Sequence, residues 1–193
     1  MNDLSLRERI YTLTKPLHDR LDNDPASLRI MSSDVTLAEY TALLQRTYGF
    51  MKPLEDLLFS APVDTLLRPV LGVREKRAFA LGDDLVALSS APTGLMSGLP
   101  TIERLGHAMG VVYVIEGSQM GGLVMAKQIS RVLGLNRETG LKFFLLSDPK
   151  TTVKQFQEFV ARLDIFAKCE CDERDAIEAA SETFRLIGDW FSR

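Results

Sequence analysis

Apolar residues recur along most of this chain at the three- and four-residue spacing that places them on one face of an α-helix. No segment alternates apolar and polar residues in the way that strands joined by hairpin turns do. In the first segment the apolar positions form a single stripe, made of Leu6, Ile10, Leu13, Leu17 and Leu21. The pattern predicts an all-α fold with helices over residues 4–21, 36–59, 74–89, 101–133, 151–168 and 172–191.

Capping and helix-breaking residues mark the ends of these helices. Thr36 and Glu39 have the spacing of a capping box at the start of the second helix, which Pro53 is expected to kink. Residues 60–64 are predicted to be a connection and residues 91–100 the longest loop, because both contain helix breakers. No internal repeat or low-complexity linker interrupts the pattern, so the 193 residues are expected to form one domain, 1–193.

Charge and hydropathy exclude several classes of partner. The net charge of −3 provides no positive surface for nucleic acid or for an anionic membrane. No apolar run reaches the roughly 18–20 residues of a membrane span, and the N-terminal residues lack the apolar segment of a secretory signal. We therefore expect no nucleic-acid partner, no membrane association and a cytoplasmic location.

The two cysteines, Cys169 and Cys171, are separated by one residue. On a helix such positions point to nearly opposite sides, and a metal or redox site would need partners that a chain with two histidines and no C-x-x-C motif does not offer. Both cysteines are predicted to be reduced thiols.

The most unusual segment is Tyr113–Gly122, where three glycines fall within six residues of an otherwise apolar helix. A helical Gly costs about 1 kcal/mol relative to Ala, so Gly110, Gly117, Gly121 and Gly122 together would cost about 3–4 kcal/mol. Helical spacing places one set of positions on a common face: His107, Gly110, Val114, Gly117 and Gly121. A face without side chains predicts room for a flat ligand against the backbone.

Two structural alternatives explain the same glycines. Small residues at this spacing also allow two helices to approach closely, and a glycine-rich run can be a loop between helices. A phosphate-binding P-loop is excluded, because Gly122 is followed by Leu-Val and not by Lys-Ser/Thr.

The two histidines are the candidate metal ligands. His18 shares a helix face with Tyr11, Thr14 and Leu21, and a neutral imidazole facing a cavity is a good axial ligand for heme iron. His107 precedes Gly117 by ten residues, about 15 Å along a helix, and is interpreted as structural or solvated. A di-iron carboxylate bundle is excluded, because the chain contains no Glu-x-x-His pair.

Two motifs together resemble a known family. An early helix with Thr14-x-x-x-His18-x-x-Leu21-Asp22 and a later one with Tyr113-Val-Ile-Glu-Gly-Ser-x-x-Gly-Gly122 are similar to bacterial biliverdin-producing heme oxygenase. The similarity is greatest to the branch that accompanies bacterial phytochromes. The resemblance implies a single-domain helical bundle in which heme lies between a proximal N-terminal helix and a Gly-kinked distal helix.

The resemblance also implies roles for individual residues. His18 would be the iron ligand, and Gly117, Ser118 and Gly121 would form the catalytic distal turn. Further heme contacts would come from Thr14 and Gly122 and from the residues near the propionates, which are Arg7, Tyr11 and Tyr113. Tyr11 stands where many relatives have a propionate-binding Lys, and either Arg7 or Lys15 could replace that Lys. This departure leaves open which meso carbon is attacked.

The activity implied by the resemblance converts heme, which is both substrate and cofactor, with O2 and external electrons into biliverdin, carbon monoxide and ferrous iron. No flavin or nicotinamide fingerprint occurs, so a separate reductase of ferredoxin or flavoprotein type would supply the electrons, and a bacterial phytochrome would accept the biliverdin. Two alternatives are a non-catalytic heme carrier or sensor on the same fold, and a helical enzyme acting on another small molecule, such as a thiamine-degrading enzyme.

Overall fold

The computed structural model describes residues 4–167 and 169–192. These residues form helices without any β-strand, which confirms the predicted all-α fold. The helices are α1 Leu6–Asp22, α2 Pro25–Ile30, α3 Leu37–Leu58, α4 Ala61–Leu71, α5 Ala78–Ala87, α6 Leu105–Leu133, α7 Pro149–Phe166 and α8 Glu170–Phe191.

Several predicted boundaries were wrong. Residues 61–64 are not a connection but the first turn of α4, which tolerates Pro62 because the first peptide N–H groups of a helix have no intrahelical acceptor. The second helix, in contrast, was predicted nearly correctly, since α3 continues through Pro53 to Leu58. α6 begins at Leu105, after an extended Arg104, and not behind Thr101. α6 is also helical through its glycine run and ends at Gly134, whose φ of 69° is left-handed, so the run is not a loop. The predicted end of the α7 helix at Lys168 lies outside the described residues.

The predicted capping box at the start of α3 is confirmed. The Thr36 hydroxyl accepts a hydrogen bond from the Glu39 N–H (3.3 Å), and the Glu39 carboxylate accepts one from the Thr36 N–H (2.8 Å). Arg29 of α2 donates to the same carboxylate through Nε (2.5 Å). The Arg29 hydrogen bond and then those from Thr36 lower the pKa of Glu39 from 4.5 to about 2.

Replacing Glu39 by Gln is expected to lower the thermal midpoint at neutral pH, with an effect that depends on pH. A depressed folded-state pKa means that the carboxylate stabilises the fold above the unfolded value near 4.5 and that this contribution is lost as the pH falls through about 2. The midpoints of wild type and variant should therefore converge over this interval. Glu178→Gln, on an exposed part of α8, is the matched control; a similar convergence there would contradict the assignment to the cap.

The two helices predicted to contact heme, α1 and α6, both pack against α8. The most extensive helix packing is that of α6 with α8 and of α1 with α8. Arg9 of α1 pairs with Glu173 near the start of α8, and Arg20 pairs with Asp189 near its end (3.3 Å). α1 is thus fixed to α8 at both ends. Its apolar stripe is buried at Leu6 and Ile10, partly buried at Leu17 and Leu21, and exposed at Leu13 (58%).

α6 is the core helix of the fold. By length and composition it is apolar enough to cross a membrane, which differs from the prediction, but half of its most apolar window is buried inside the protein. Burial of this kind is what a core helix of a soluble fold shows as well, so the apolar character of α6 is accounted for by its packing on α8.

The prediction of two reduced cysteines was wrong, because the structure joins Cys169 and Cys171 in a disulfide. Cys169 is not helical but is the N-cap of α8, with extended dihedral angles (φ −144°, ψ 158°). The argument that the two side chains diverge holds only when both residues are helical. An extended N-cap instead turns its side chain back over the first turn, as the hydrogen bond from the Asp172 N–H to Cys169 Sγ (3.4 Å) also indicates.

Candidate functional site

α1 carries three of the predicted site residues on one face. The side chains of Tyr11 and His18 are 52% and 50% exposed, so both are accessible from outside the fold. Thr14 is buried, and its hydroxyl donates to the Ile10 carbonyl (2.8 Å). Thr14 therefore belongs to the core side of this face, whereas Tyr11 and His18 are free to contact a ligand.

His18 has a carboxylate partner that determines which ring nitrogen is free. Its Nδ1 lies 3.0 Å from Oδ2 of Asp22, one helical turn later. An ionised carboxylate only accepts hydrogen bonds, so the proton of the neutral imidazole resides on Nδ1 and the lone pair on Nε2. In many metal sites a histidine binds the metal through Nε2 while a carboxylate accepts a hydrogen bond from Nδ1–H and so orients the ring. The Asp22 carboxylate is placed to do this for His18.

A residue that was not predicted from the sequence, Phe184, also contacts the His18 ring. The ring of Phe184, from α8, meets the imidazole edge to face with centroids 5.7 Å apart. Phe184 is buried and lies 166 residues further along the chain, so no local pattern connects it with His18. Asp22 and Phe184 together restrict the ring rotation of a half-exposed histidine.

α6 presents an open backbone at two of the predicted distal residues. A Cβ atom built on Gly121 would meet no atom within 4 Å, and one built on Gly117 would meet only Cε2 of Phe156, at 4.0 Å. Ser118, between them, is exposed and donates its hydroxyl proton to the Ile115 carbonyl (2.7 Å). Val124, one turn after Gly121, is 57% exposed. This stretch therefore combines bare backbone with apolar surface.

The predicted glycine face is divided between two uses. A Cβ on Gly110 would lie 2.2 Å from the Ala176 carbonyl oxygen of α8, and one on Gly122 would lie 2.7 Å from the Phe144 ring. Gly106 also lies against α8, since a Cβ built on it would be 2.7 Å from Cβ of Asp175. The helix-packing interpretation thus holds for Gly106 and Gly110, while Gly122 makes room for Phe144, and the open face is confined to Gly117 and Gly121.

Tyr113 links the open part of α6 to α1. Burial raises the pKa of the Tyr113 phenol, the positive charge of Arg7 lowers it, and Tyr11 raises it slightly. Arg7 and Tyr11 of α1 are therefore near enough to Tyr113 of α6 to influence its phenol electrostatically. All three residues were predicted to lie near the propionates. Lys15, the alternative cation, is paired with Asp19 (2.5 Å).

His107 is a structural residue, in agreement with its interpretation from the sequence. Its Nδ1 accepts a hydrogen bond from the Glu103 N–H (3.3 Å), and its Nε2 lies 3.7 Å from Oδ1 of the buried Asp175. Both ring nitrogens are engaged near the first turn of α6, two helical turns before Tyr113.

Two surface cavities lie away from these residues. One of about 390 Å³ is lined by Asp83, Asp84, Ala87, Arg137, Glu138 and Lys142. The other, of about 460 Å³, is lined by Val70, Leu105, Arg162, Ile165, Phe166 and Asp172. Neither contains a predicted site residue, so the candidate site is the open surface of α1 and α6 and not either of these cavities.

Comparison with known proteins indicates which class of protein shares this helical fold, with its oriented histidine on one helix and bare backbone on another. Residues 100–193 match the family described as Heme oxygenase. Heme oxygenase PigA of Pseudomonas aeruginosa is 29% identical over 187 residues, which cover 96% of this chain and 91% of PigA. The chain is thus similar to heme oxygenases over nearly its whole length, and just under half of it matches the family's sequence pattern.

Two solved structures share this fold. The heme oxygenase from Neisseria meningitidis, determined with NO and CO bound, superposes with a TM-score of 0.77 at 25% identity, over 98% of this chain and 93% of that one. The heme oxygenase from Leptospira interrogans has the same fold, with a TM-score of 0.73 at 18% identity over 98% and 99% of the two chains.

Proposed function

We propose that this enzyme cleaves heme at a meso carbon to biliverdin, carbon monoxide and ferrous iron, using O2 and external electrons. The observation that carries the proposal is the open backbone at Gly117 and Gly121. It lies on the helix whose Tyr113 is influenced electrostatically by Arg7 and Tyr11 of α1. Because no side chain projects from the two glycines, the proposal places a planar macrocycle against this part of α6, on the side that faces α1. When bound, heme would supply the redox-active iron and the ring carbon that is oxidised.

His18 is the proposed iron ligand, through Nε2. The Asp22 carboxylate holds the proton on Nδ1 and increases the electron density of the ring, and the Phe184 ring limits its rotation. Arg7 is the proposed partner of a heme propionate, since its positive charge lowers the pKa of the Tyr113 phenol and a guanidinium binds carboxylates well. Gly122 and Thr14 remain predicted heme neighbours, although their positions in the structure are explained by Phe144 and by the core.

The residues of α6 would act on the oxygen side by what they leave free. Ser118 already donates its hydroxyl proton to the Ile115 carbonyl, so it offers lone pairs and no acidic proton. Bare backbone at Gly117 and Gly121 leaves room for ordered water, which can hydrogen-bond a polar ligand nearly as well as a side chain can. We propose that the site therefore works without a side-chain general acid.

The electrons would come from a separate reductase of ferredoxin or flavoprotein type, because no flavin or nicotinamide fingerprint occurs in the chain. We also propose a cytoplasmic location and delivery of biliverdin to a bacterial phytochrome, which follows from the branch that the two motifs resemble. Membership of that branch stays a prediction.

The proposal is tested by adding hemin to the purified protein and then a reductase with its electron source, in air and with catalase present. We expect a Soret band that decays into a biliverdin absorption, with carbon monoxide and chelatable ferrous iron released in equal amounts. Catalase removes free peroxide, which degrades heme without enzymatic control. A stable Soret band under these conditions would identify a carrier or sensor, and the lack of any Soret band would exclude a heme site.

Replacing Asp22 by Asn is expected to weaken heme binding or turnover by roughly 10–100-fold, the usual effect of losing the carboxylate that orients a metal-bound histidine. An amide can accept from Nδ1–H but provides no negative charge. Hemin titration gives the affinity, and the iron–histidine stretching frequency should decrease. The matched control is Asp19→Asn, which removes a carboxylate on the same helix that pairs with Lys15; equal effects of the two changes would contradict the role of Asp22.

A further inference from the structure

The residue directly before the first distal glycine is held by an ion pair. The Glu116 carboxylate of α6 accepts two hydrogen bonds from Nη2 of Arg77, at 2.9 Å to Oε1 and 2.7 Å to Oε2. Both side chains are only 21% exposed, so water screens the pair less than it screens a surface ion pair. Glu116 belongs to the motif that identified the family resemblance, but its partner is 39 residues away and has no local signal.

The backbone of Arg77 is itself anchored. Arg77 is the N-cap of α5 and has no side-chain cap of its own. The buried Glu55 of α3 replaces that cap, because its carboxylate accepts from the N–H groups of Arg77 (2.7 Å) and Ala78 (2.9 Å). Arg77 therefore connects a fixed point on α3 with the position on α6 that precedes Gly117.

The segment that follows Glu116 lacks such restraints. Gly117 and Gly121 have open space where side chains would pack, and Ser118 is exposed. A helix segment with several glycines and few packed side chains is intrinsically prone to local opening. The Arg77–Glu116 ion pair, called the clamp below, lies directly before this segment and is thus well placed to limit that opening.

We propose that Arg77 is a positioning residue whose ion pair with Glu116 holds the glycine segment 117–122 in one helical arrangement and thereby restricts oxidation to a single meso carbon of heme. The second half of this statement rests on the proposed function. The clamp acts through α6, because it fixes the backbone surface against which the macrocycle and oxygen would lie.

The Arg77 guanidinium has one further nitrogen that could extend the hydrogen-bond network around the ion pair. Its Nη1 is buried and makes no hydrogen bond with any described residue. A buried guanidinium N–H without a protein acceptor is ordinarily satisfied by ordered water, which would extend the network from the clamp.

The first test measures amide hydrogen exchange of the heme-free protein by mass spectrometry. In Arg77→Gln and in Glu116→Gln, exchange within residues 117–122 should accelerate by about tenfold, the effect of losing a hydrogen bond to a charged group, and Arg77→Lys should restore part of the protection. The matched control is Arg29→Gln, which breaks the Arg29–Glu39 pair between α2 and α3. Unchanged exchange in segment 117–122, or equal acceleration in the control, would overturn the clamp.

The second test measures the biliverdin isomers by chromatography after turnover. Wild type and Arg29→Gln should give one isomer, while Arg77→Gln and Glu116→Gln should give a mixture with at least a tenth of a second isomer, the consequence of a roughly tenfold change in local opening. A single isomer from variants with accelerated exchange would overturn the link to specificity. If wild type produced no biliverdin, the proposed function would fail, and the exchange measurement would still decide on the clamp.

Discussion

Replacing His18 by Ala is expected to abolish most heme turnover while leaving the fold intact. The side chain is half-exposed and contributes one edge contact to Phe184, so its removal creates no sealed cavity. The loss in activity should exceed the roughly 10–100-fold typical of losing an outer-sphere partner, because the proposed ligand itself is removed. The ferric absorption spectrum should change to that of a five-coordinate or water-ligated heme. Added imidazole should restore the spectrum at least in part.

His107→Ala is the matched control, since it removes the other histidine of the chain. It should bind heme with the wild-type spectrum, although the loss of contacts with Glu103 and Asp175 is expected to lower the thermal midpoint. An unchanged spectrum in His18→Ala together with a lost spectrum in His107→Ala would show that the assigned ligand is wrong.

Alanine substitutions at Gly121 and Gly110 are expected to have opposite effects on stability. Gly121→Ala should raise the free energy of unfolding of the heme-free protein by about 1 kcal/mol, because the methyl group meets open space and helix propensity improves. Gly110→Ala should lower it by about 1–3 kcal/mol or more, since the methyl group would lie 2.2 Å from the Ala176 carbonyl oxygen and force α6 away from α8. Chemical denaturation of both variants provides the comparison.

The same pair distinguishes packing from ligand binding when turnover is measured. Gly121→Ala should convert less heme to biliverdin despite its greater stability, because its methyl group would enter the proposed oxygen side. Gly110→Ala is expected to lose activity only to the extent that it loses folded protein. Full turnover in a destabilised Gly121→Ala variant would show that Gly121 serves helix packing.

Structural features that depend on residues close together in the sequence could be predicted, whereas those that depend on distant residues could not. The capping box of Thr36 and Glu39 and the positions of the long helices depend on residues within a few positions of one another, and they were predicted correctly. The start of α6 was predicted several residues too early. Its N-cap, Arg104, makes no side-chain capping hydrogen bond, so the sequence contains no capping motif at the true start.

The candidate site was predicted in part for the same reason. His18, with Asp22 one turn later, and the open glycines of α6 are local features of single helices. The contact of Phe184 with His18 and the pairing of Arg77 with Glu116 join distant segments, and only the tertiary structure reveals them. Gly110 and Gly121 look alike in the sequence, yet one faces α8 and the other faces open space, because the neighbour of a helix face is determined by packing.

The packing of α1 and α6 against α8 has a consequence for folding during synthesis. The ion pair between Arg9 and Glu173 joins residues that are 164 positions apart. Among the described residues, α1 packs most extensively on α8, which is the last helix of the chain. During synthesis from the N-terminus, α1 thus emerges long before its support exists. Under the proposed function, heme capture would therefore have to wait until α8 has left the ribosome, and until then the apolar stripe of α1 lacks its packing partner.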